Sequence, residues 1–501
     1  MMREYQVLIA GAGPTGLTLA LFLTRQGIRV RIIDKNAKPG EASRAIVVQA
    51  RTLEFYKQLG FADEVVARGI RVNAIHLRQG SHRIGDLQFG DFGGDLSPFP
   101  FVLAFAQDEH EELLVEELKK LGVHVERDTE LVDMIQLEDR VQAFLKKQGI
   151  SEQCEVAYLC GCDGAHSTVR QKLKINFSGG SYNQLFYVAD VIASGRSIHD
   201  GLNVALAEKN FCIILPVRKG GTLRLIGIVP SKQAKQEKIM FEDIQSFVEK
   251  LTGLRIKSLN WFSTYHVHHR VAENFNKGRV FILGDAAHIH SPAGGQGMNT
   301  GIGDAVNLAW KMASVLHGKA DRMLLDTYPV ERMAFARTLV ATTDQIFKFM
   351  VDPSWVGRFW RRRLFPAIMS FLLKFRWVRR AMFRLVSQVR IHYHNSPISF
   401  GRAGKLHAGD RLPYVKIEES DNFEPLKKLN WHIHIYGLAN QDLHQAADQL
   451  GLDLCVFEWN DGARQAGFVQ DALYLVRPDG HIAFIDAYQN VQALNRYWSK
   501  R

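Results

Sequence analysis

Tyr5 to Asp34 reads YQVLIAGAGPTGLTLALFLTRQGIRVRIID, and this stretch decides the fold. Tyr5 to Ala10 is the short apolar run of a buried strand, and Gly11-Ala12-Gly13-Pro14-Thr15-Gly16 ends it. A helix follows with Leu17, Ala20, Leu21 and Leu23 as its apolar positions; Gly27 stops it, and a second strand ends on Asp34. A GxGxxG turn between strand and helix, with an acid about 20 residues on, is the dinucleotide fingerprint. Gly11 permits the tight turn, Gly13 lets a pyrophosphate approach the backbone, and Gly16 lets helix and strand pack closely. Asp34 is placed for ribose hydroxyls, with Pro14, Thr15 and Lys35 beside these positions. The fingerprint does not choose between FAD and NAD.

Two later stretches repeat the logic. Glu155 to Cys162 is a strand that runs into Asp163-Gly164-Ala165-His166-Ser167-Thr168-Val169-Arg170. Arg279 to Lys311, RVFILGDAAHIHSPAGGQGMNTGIGDAVNLAWK, gives a strand, the Gly284-Asp285 stop, a glycine-rich loop and a helix. Such a loop brings backbone N–H groups close to a flat, partly anionic ligand, and the helix start adds partial positive charge. Arg44 and Arg51 fall where the chain would pass an extended dinucleotide, and Gln107 precedes the helix HEELLVEELKKLG as a flavin-contact candidate.

Between these segments the period changes. Residues 73–102 and 176–277 read as mostly antiparallel strands inserted into the nucleotide fold, forming a substrate domain. Tyr182, Phe186, Phe211, Ile213, Leu215, Pro216 and Tyr265 are its candidate pocket residues. The nucleotide domain is then discontinuous: 1–72, 103–175 and 278–350. His266 and His268 share a strand face, but no nearby carboxylate completes a site, so no metal is assigned.

Residues 351–397 read as a helical tract reaching about residue 395, in which arginines such as Arg361, Arg362 and Arg363 alternate with Trp355, Phe359, Trp360 and Trp377. Snorkelling arginines on a self-packed helix are the favoured reading, and a peripheral contact of 355–384 with an anionic membrane is the alternative. Gly401 to Leu412 reads as a glycine-rich linker. The unit 398–501 has the order of a thioredoxin-type fold without CxxC, Cys455 having no partner.

The 501 residues, 46% hydrophobic and 23% charged, fit a globular chain of several domains. Five cysteines give no disulfide framework. No 18-residue uncharged apolar run occurs and the first strand begins at once, so a cytoplasmic location is expected. The net charge of +11 lacks a recognised nucleic-acid module, and no nucleic-acid partner is expected.

GAGPTG with Asp34, CDGAHSTVR and GDAAHIHSPAGGQGMN together resemble the single-component FAD-dependent aromatic hydroxylases, the class A flavoprotein monooxygenases of the para-hydroxybenzoate and phenol hydroxylase superfamily. The C-terminal unit is similar to that of the phenol and polyketide hydroxylase subgroup. The resemblance implies an α/β, overall α+β, fold and FAD held by Gly11, Gly13, Pro14, Thr15, Gly16, Asp34, Lys35, Arg44, Gln107, Asp163, Gly284, Asp285, Pro292, Gly295, Gly297, Met298 and Asn299. It implies that Pro292, Gly294, Gly295, Gln296 and Gly297 border the flavin edge where a C4a-hydroperoxide forms, with no protein base assigned. NADPH or NADH would reduce the flavin and O2 would hydroxylate a phenolic or polycyclic aromatic, in a monomer or homodimer. The alternatives are epoxidation or Baeyer–Villiger oxidation on the same scaffold, or a non-turnover flavin-binding or membrane-surface protein.

Overall fold

The computed structural model describes residues 4–40, 45–79, 82–88, 93–195, 201–207, 210–290, 295–351, 368, 371–372 and 374–500. Its helices are α1 (Pro14–Arg25), α2 (Ala50–Leu59), α3 (Ala62–Arg68), α4 (Gln107–Lys120), α5 (Thr168–Lys172), α6 (Glu242–Thr252), α7 (Gly297–Leu316), α8 (Thr327–Val351), α9 (Arg376–Val386), α10 (Gln441–Leu450), α11 (Asp461–Ala466) and α12 (Val491–Trp498).

The nucleotide-type sheet has six strands, ordered Asn276–Lys277, Val280–Ile282, Tyr158–Gly161, Val7–Ala10, Val30–Ile33, Val125–Glu126. All neighbours pair in parallel except the Asn276–Lys277 edge. Val7 to Ala10 and Tyr158 to Gly161 are buried on both faces, which is why they read as unbroken apolar runs. Helices α1, α4 and α7 supply Leu17, Leu113, Leu114, Leu308 and Ala309 to this core. The Rossmann-like unit is thus assembled from three separated segments of chain.

The chain between these segments builds an eight-stranded sheet. Its spine is a pair of 18-residue antiparallel strands, Phe177–Ser194 and Arg255–Ala272, with irregular register at Ser181/Leu185, Asp190/Val191 and Ile192/Ala193. The foot of the spine meets the nucleotide unit where the Ala272 N–H donates to Ala287 O at 2.7 Å. Beyond it, Ala74–Gln79 and His82–Gln88 extend the opposite edge. Helix α6 covers one face through Ile244, Val248 and Leu251. The small sheet of Val47–Val48, Val102–Ala104 and Ile70–Val72 lies under the other, where Val72, Val102 and Ala104 meet Val188, Leu215 and Ile226.

Two sequence expectations change. The helical tract does not continue to about residue 395: among the described residues α9 ends at Val386, and Gln388 takes a left-handed φ of 60°. Gly401 to Leu412 is no free linker either. Arg402–Ala403 pairs with Leu406–His407, and Ala403, Leu406, Ala408 and Leu412 are buried. Gly409, at φ 97°, leaves no room for a side chain, since a Cβ there would stand 2.4 Å from the Tyr393 carbonyl carbon. Glycine serves close packing here, not looseness. The C-terminal sheet runs Asp453–Phe457, His432–Tyr436, Leu473–Val476, Ile482–Asp486, with the first pair parallel and the others antiparallel.

Candidate functional site

Each of the three motifs follows a strand of the six-stranded sheet at the same, carboxyl-terminal, end. Gly11 follows Ala10, Asp34 follows Ile33, Asp163 comes two residues after Gly161, and Gly284 two residues after Ile282. Carboxyl ends of neighbouring parallel strands are where open α/β sheets form ligand crevices. The loops touch one another. At Gly11, φ 106°, a Cβ would lie 2.2 Å from Cys162 O, and at Gly16 it would lie 2.0 Å from Gly11 O. Both positions are closed to any larger residue.

Gly13 is different. Its φ of −77° suits any residue, and a Cβ there would meet nothing within 4 Å. It opens on free space at the N-terminus of α1, where Pro14 has no N–H and the next amides point outward. That is the cradle a pyrophosphate needs, and glycine keeps it open. Asp34 lies across it: its Oδ2 accepts from Ala12 N–H at 2.7 Å and its Oδ1 from Asn36 N–H at 2.8 Å, leaving lone pairs for ribose hydroxyls. Lys35 beside it is exposed.

Asp163 Oδ2 accepts from Val169 N–H at 3.1 Å, while Oδ1 is buried without a hydrogen-bond partner. Burial pushes this carboxyl up, against hydrogen bonds from Ser167 and the Val169 amide. An orphaned acceptor at the crevice wall fits a bound hydroxyl or ring N–H. Asp285 is exposed in the turn Gly284–Ala286. Gln107 starts α4; its Oε1 accepts from Ala45 N–H at 3.2 Å and its Nε2 donates to Glu111 Oε1 at 2.8 Å. Arg44, Pro292 and Gly294 lie outside the described residues.

The geometry reassigns several side chains. Thr15 is turned away from the crevice onto Gly284 and Gly301, where a Cβ would come within 2.7 and 2.2 Å of its Oγ1. It offers a ligand only its backbone. Asn299 spends its whole carboxamide on protein: Oδ1 accepts from Gln49 N–H at 2.9 Å and Thr52 Oγ1 at 2.7 Å, and Nδ2 donates to Val47 O at 2.8 Å and Gly295 O at 3.0 Å. Gln296 is directed to the segment after α9, its Nε2 donating to Val386 O at 3.2 Å and its Oε1 accepting from Gln388 Nε2 at 2.7 Å. What faces outward at this end of α7 are the first-turn amides of Gly297, Met298 and Asn299, which no helical carbonyl reaches. Gly295, at φ 60°, brings the loop against Val47. Arg51 is nowhere near a pyrophosphate; it is buried against Glu54 at 2.9 Å and donates to Asp479 O at 2.6 Å.

Beneath α7 lies a charged support that sequence reading missed. Asp304 Oδ2 accepts from Gly284 N–H at 3.0 Å and pairs with His288 Nε2 at 2.7 Å, while its Oδ1 accepts from Arg332 Nε at 2.6 Å. Arg332 also donates to Thr300 O and to the Tyr393 hydroxyl, both at 3.0 Å. Burial pushes the Asp304 carboxyl up, but the Arg332 and His288 charges outweigh it and hold it below its ordinary value. The signal was present: Asp304, Asn307 and Lys311 interrupt one face of an apolar helix at spacings of three and four.

One face of the eight-stranded sheet packs on the small sheet that carries Val47, the residue Gly295 lies against. Side chains alternate along strands, so Phe186, Val188 and Asp190 share a face with Arg224, Ile226 and Ile228, and with Trp261 and Tyr265. Phe186 lies 6.3 Å from Phe211 and 5.8 Å from Tyr265, ring centre to ring centre. Tyr182 and Ile213 pack on this cluster, and the Tyr182 hydroxyl donates to Asp344 of α8 at 2.6 Å. Leu215, paired with Arg224, is on the same face and is buried with Val188 and Ile226 against the small sheet, and Pro216 ends its strand half-buried. On this apolar face Arg224 and Asp190 form a bidentate pair at 2.7 Å, 2% and 8% exposed. The third nitrogen, Arg224 Nη1, is buried without a partner.

Residues 4–343 match the family model described as FAD binding domain. The chain is 36% identical over 415 residues to 6-methylpretetramide 4-monooxygenase of Streptomyces rimosus, covering 81% of this chain and 73% of that protein. It is 33% identical over 345 residues to dialkyldecalin synthase of Streptomyces rugosporus, covering 67% and 71%. The solved structure of OxyS, an anhydrotetracycline hydroxylase from Streptomyces rimosus, superposes with a TM-score of 0.80 at 27% identity, covering 99% and 98%. The open cradle at Gly13, the free Asp163 oxygen and the outward amides of α7 fit the dinucleotide these relationships imply. The chain belongs to the FAD-binding-domain family and is an FAD-dependent monooxygenase of the aromatic-hydroxylase-like, class A superfamily.

Proposed function

We propose that this enzyme takes electrons from NADPH or NADH and hydroxylates a phenolic, polycyclic aromatic held between the flavin crevice and the sheet face of Phe186, Phe211 and Tyr265. The observation that carries the reading is the buried Arg224–Asp190 pair set in an otherwise apolar, aromatic face, with one guanidinium nitrogen unspent. Such a face stacks on a flat ring system, and the free N–H donates to a carbonyl or phenolate oxygen on its rim. The tetracyclic compounds named for two relatives have that form.

FAD, when bound, supplies the two-electron chemistry that activates O2. The protein's share is placement. Gly13 and the α1 amides receive the pyrophosphate, Asp34 the ribose and Asp163 a further polar edge. The amides of Gly297, Met298 and Asn299 present partial positive charge to negative charge developing on the ring. Asn299 and Asp304 hold that helix end in position, and the aromatic face excludes water from the reacting carbon. Arg44, Pro292 and Gly294 are proposed to complete the FAD contacts, with Pro292, Gly294, Gly295 and Gly297 along the reacting edge.

We place 398–501 in the thioredoxin-like class on its strand order and the helices α10 and α12. A self-packed reading of the 355–384 tract draws support from Arg380, which pairs with Asp95 at 2.7 Å, and from Phe383, which is buried. No helix among the described residues is long and apolar enough to cross a membrane. A cytoplasmic monomer or homodimer remains the proposal.

The test is an anaerobic screen followed by product analysis. Polyphenolic ligands should accelerate flavin reduction by NADPH, and the aerobic product should gain one oxygen atom from O2. Because one relative is a synthase by name, a product of unchanged mass would overturn hydroxylation and favour rearrangement on the same scaffold.

A further inference from the structure

A cleft of about 570 Å³ opens between α9 with the segment after it, the Asp95 turn, and the C-terminal unit; none of its lining residues belongs to the three nucleotide loops, although Val386 and Gln388 beside it bond Gln296. That volume lies within the roughly 300–1,000 Å³ of small-molecule sites. Five permanent cations line it, Arg380, Arg384, Arg390, Arg411 and Lys416, against two carboxylates, Asp95 and Asp410. The carboxylates are already engaged: Asp95 with Arg380 at 2.7 Å and Asp410 with His394 Nε2 at 2.7 Å. Arg411 is engaged too, donating to both oxygens of Glu54 at 2.9 and 2.5 Å. Arg384, Arg390 and Lys416 are left without an acidic partner among the described residues.

These cations strain one another. The Arg384 guanidinium is held below its ordinary value by partial burial, then by the neighbouring Arg380 charge, with Asp95 opposing and Arg390 and Arg411 adding to the effect. His392 stacks on His394 with ring centres 4.0 Å apart and is lowered by burial, then by His394 and Arg390. It is therefore a neutral N–H donor at pH 7 rather than a further charge. Tyr414, half-buried on the opposite wall, keeps its proton, burial pushing it up to about 12. Leu96, Val389 and Ile391 give the cleft an apolar side.

We propose that this cleft is a binding site for a nucleoside phosphate. Two unpaired arginines match the planar, bidentate recognition of phosphate oxygens, which supply the missing negative charge. The apolar side and the Tyr414 ring accept the base. The same phosphate-ester chemistry belongs to the adenosine half of a nicotinamide dinucleotide and to free nucleotides. The site is independent of the flavin reading, because none of its residues lies in the three loops.

The test uses the full-length chain loaded with FAD. Adenosine 2′,5′-bisphosphate, AMP and inorganic pyrophosphate are titrated by calorimetry into the wild type, an Arg384→Gln/Arg390→Gln variant and, as a charge-matched control at exposed positions outside the cleft, Arg322→Gln/Arg496→Gln. One saturable site that weakens roughly 10-fold or more in the Arg384→Gln/Arg390→Gln variant only is expected. No saturable binding of any probe below about 10 mM, or equal weakening in both variants, would overturn the site. Pyrophosphate binding as tightly as both adenosine compounds would overturn the nucleoside assignment. Displacement of the bisphosphate by NADPH assigns the site to the dinucleotide; tighter AMP with no displacement assigns it to a free mononucleotide.

Discussion

Arg477 of the C-terminal unit and Glu331 of α8 face each other through two parallel hydrogen bonds, 2.7 and 2.9 Å long, with neither side chain exposed. Glu331 also accepts from Lys311 Nζ at 2.7 Å and Asn307 Nδ2 at 2.6 Å on α7. The last domain is therefore tied by charge to the helix whose first turn is proposed to face the flavin. Replacing Arg477 with Ala strands a buried carboxylate beside one lysine. A loss of roughly 3–5 kcal/mol is expected in urea denaturation, together with weaker FAD retention. Unchanged stability would show the contact to be incidental.

Gly13 and Gly16 stand three residues apart and should fail differently. Gly16→Ala drives a methyl group to 2.0 Å from Gly11 O, so lower melting temperature and poor folding are expected. Gly13→Val places its side chain in open space, so the apoprotein should melt within a few degrees of wild type while FAD binding, measured by fluorescence titration, weakens at least about 10-fold. Equal FAD affinity in Gly13→Val would remove the pyrophosphate from that cradle.

Asn299→Leu removes four hydrogen bonds that join α7 to residues 47–52 and leaves the Val47 and Gly295 carbonyls short of a donor. At about 1 kcal/mol net per bond, a cost of roughly 2–4 kcal/mol follows. If the side chain positions the helix end, the flavin absorption band shifts in the surviving holoenzyme. An unshifted spectrum would confine Asn299 to stability.

Four buried histidines make the fold acid-sensitive. Burial lowers His110 to about 3, His432 and His481 to about 4, and His434 well below its ordinary value. Unfolded histidines take up protons near pH 6.5, so between that pH and about 4 the unfolded chain binds more protons than the native one. Stability then falls as pH falls, by roughly 1.4 kcal/mol per pH unit for each histidine. Denaturation at a series of pH values measures the slope, and His434→Asn should reduce it by one proton. A slope that does not change in the variant would contradict a neutral His434.

Arg224→Met combined with Asp190→Asn keeps the bulk of the pair and removes the guanidinium donors without stranding a buried carboxylate. With a phenolic substrate identified by the reduction screen, kcat/KM should fall roughly 10- to 100-fold, the worth of one or two charge-assisted hydrogen bonds. Substrate-independent NADPH oxidation should stay near wild type. Equal losses in both would locate the damage in the fold rather than in recognition.

The nucleotide unit was legible because its constraints are local. Gly16 and Asp34 each answer to neighbours within one strand–helix–strand unit, Gly16 to Gly11 O and Asp34 to the Ala12 amide, and the alternation that puts Phe186, Phe211 and Tyr265 on one face is written in each strand. The supports were not legible. Asn299 bonds to residues about 250 positions away, and nothing near it in the chain distinguishes an amide that touches flavin from one that fixes a loop. Arg51 was misplaced for the same reason, its partner Asp479 lying in the last domain. Gly401 to Leu412 was misread as loose because glycine serves both mobility and contact, and only the Tyr393 backbone beside Gly409 decides between them.

The 18-residue spine strands run from beside the flavin turn to the far rim of the substrate sheet, roughly 60 Å at 3.3 Å per residue. The ribbon is anchored at the Ala272–Ala287 contact, braced by α6, and interrupted at Ser181/Leu185, Asp190/Val191 and Ile192/Ala193. On the proposed function, the height of this face over the substrate follows from where those three irregularities bend the strands. Tolerance for wider or narrower polycycles would then be set by the side chains at these bends, Asp190 among them, rather than by the length of the strands.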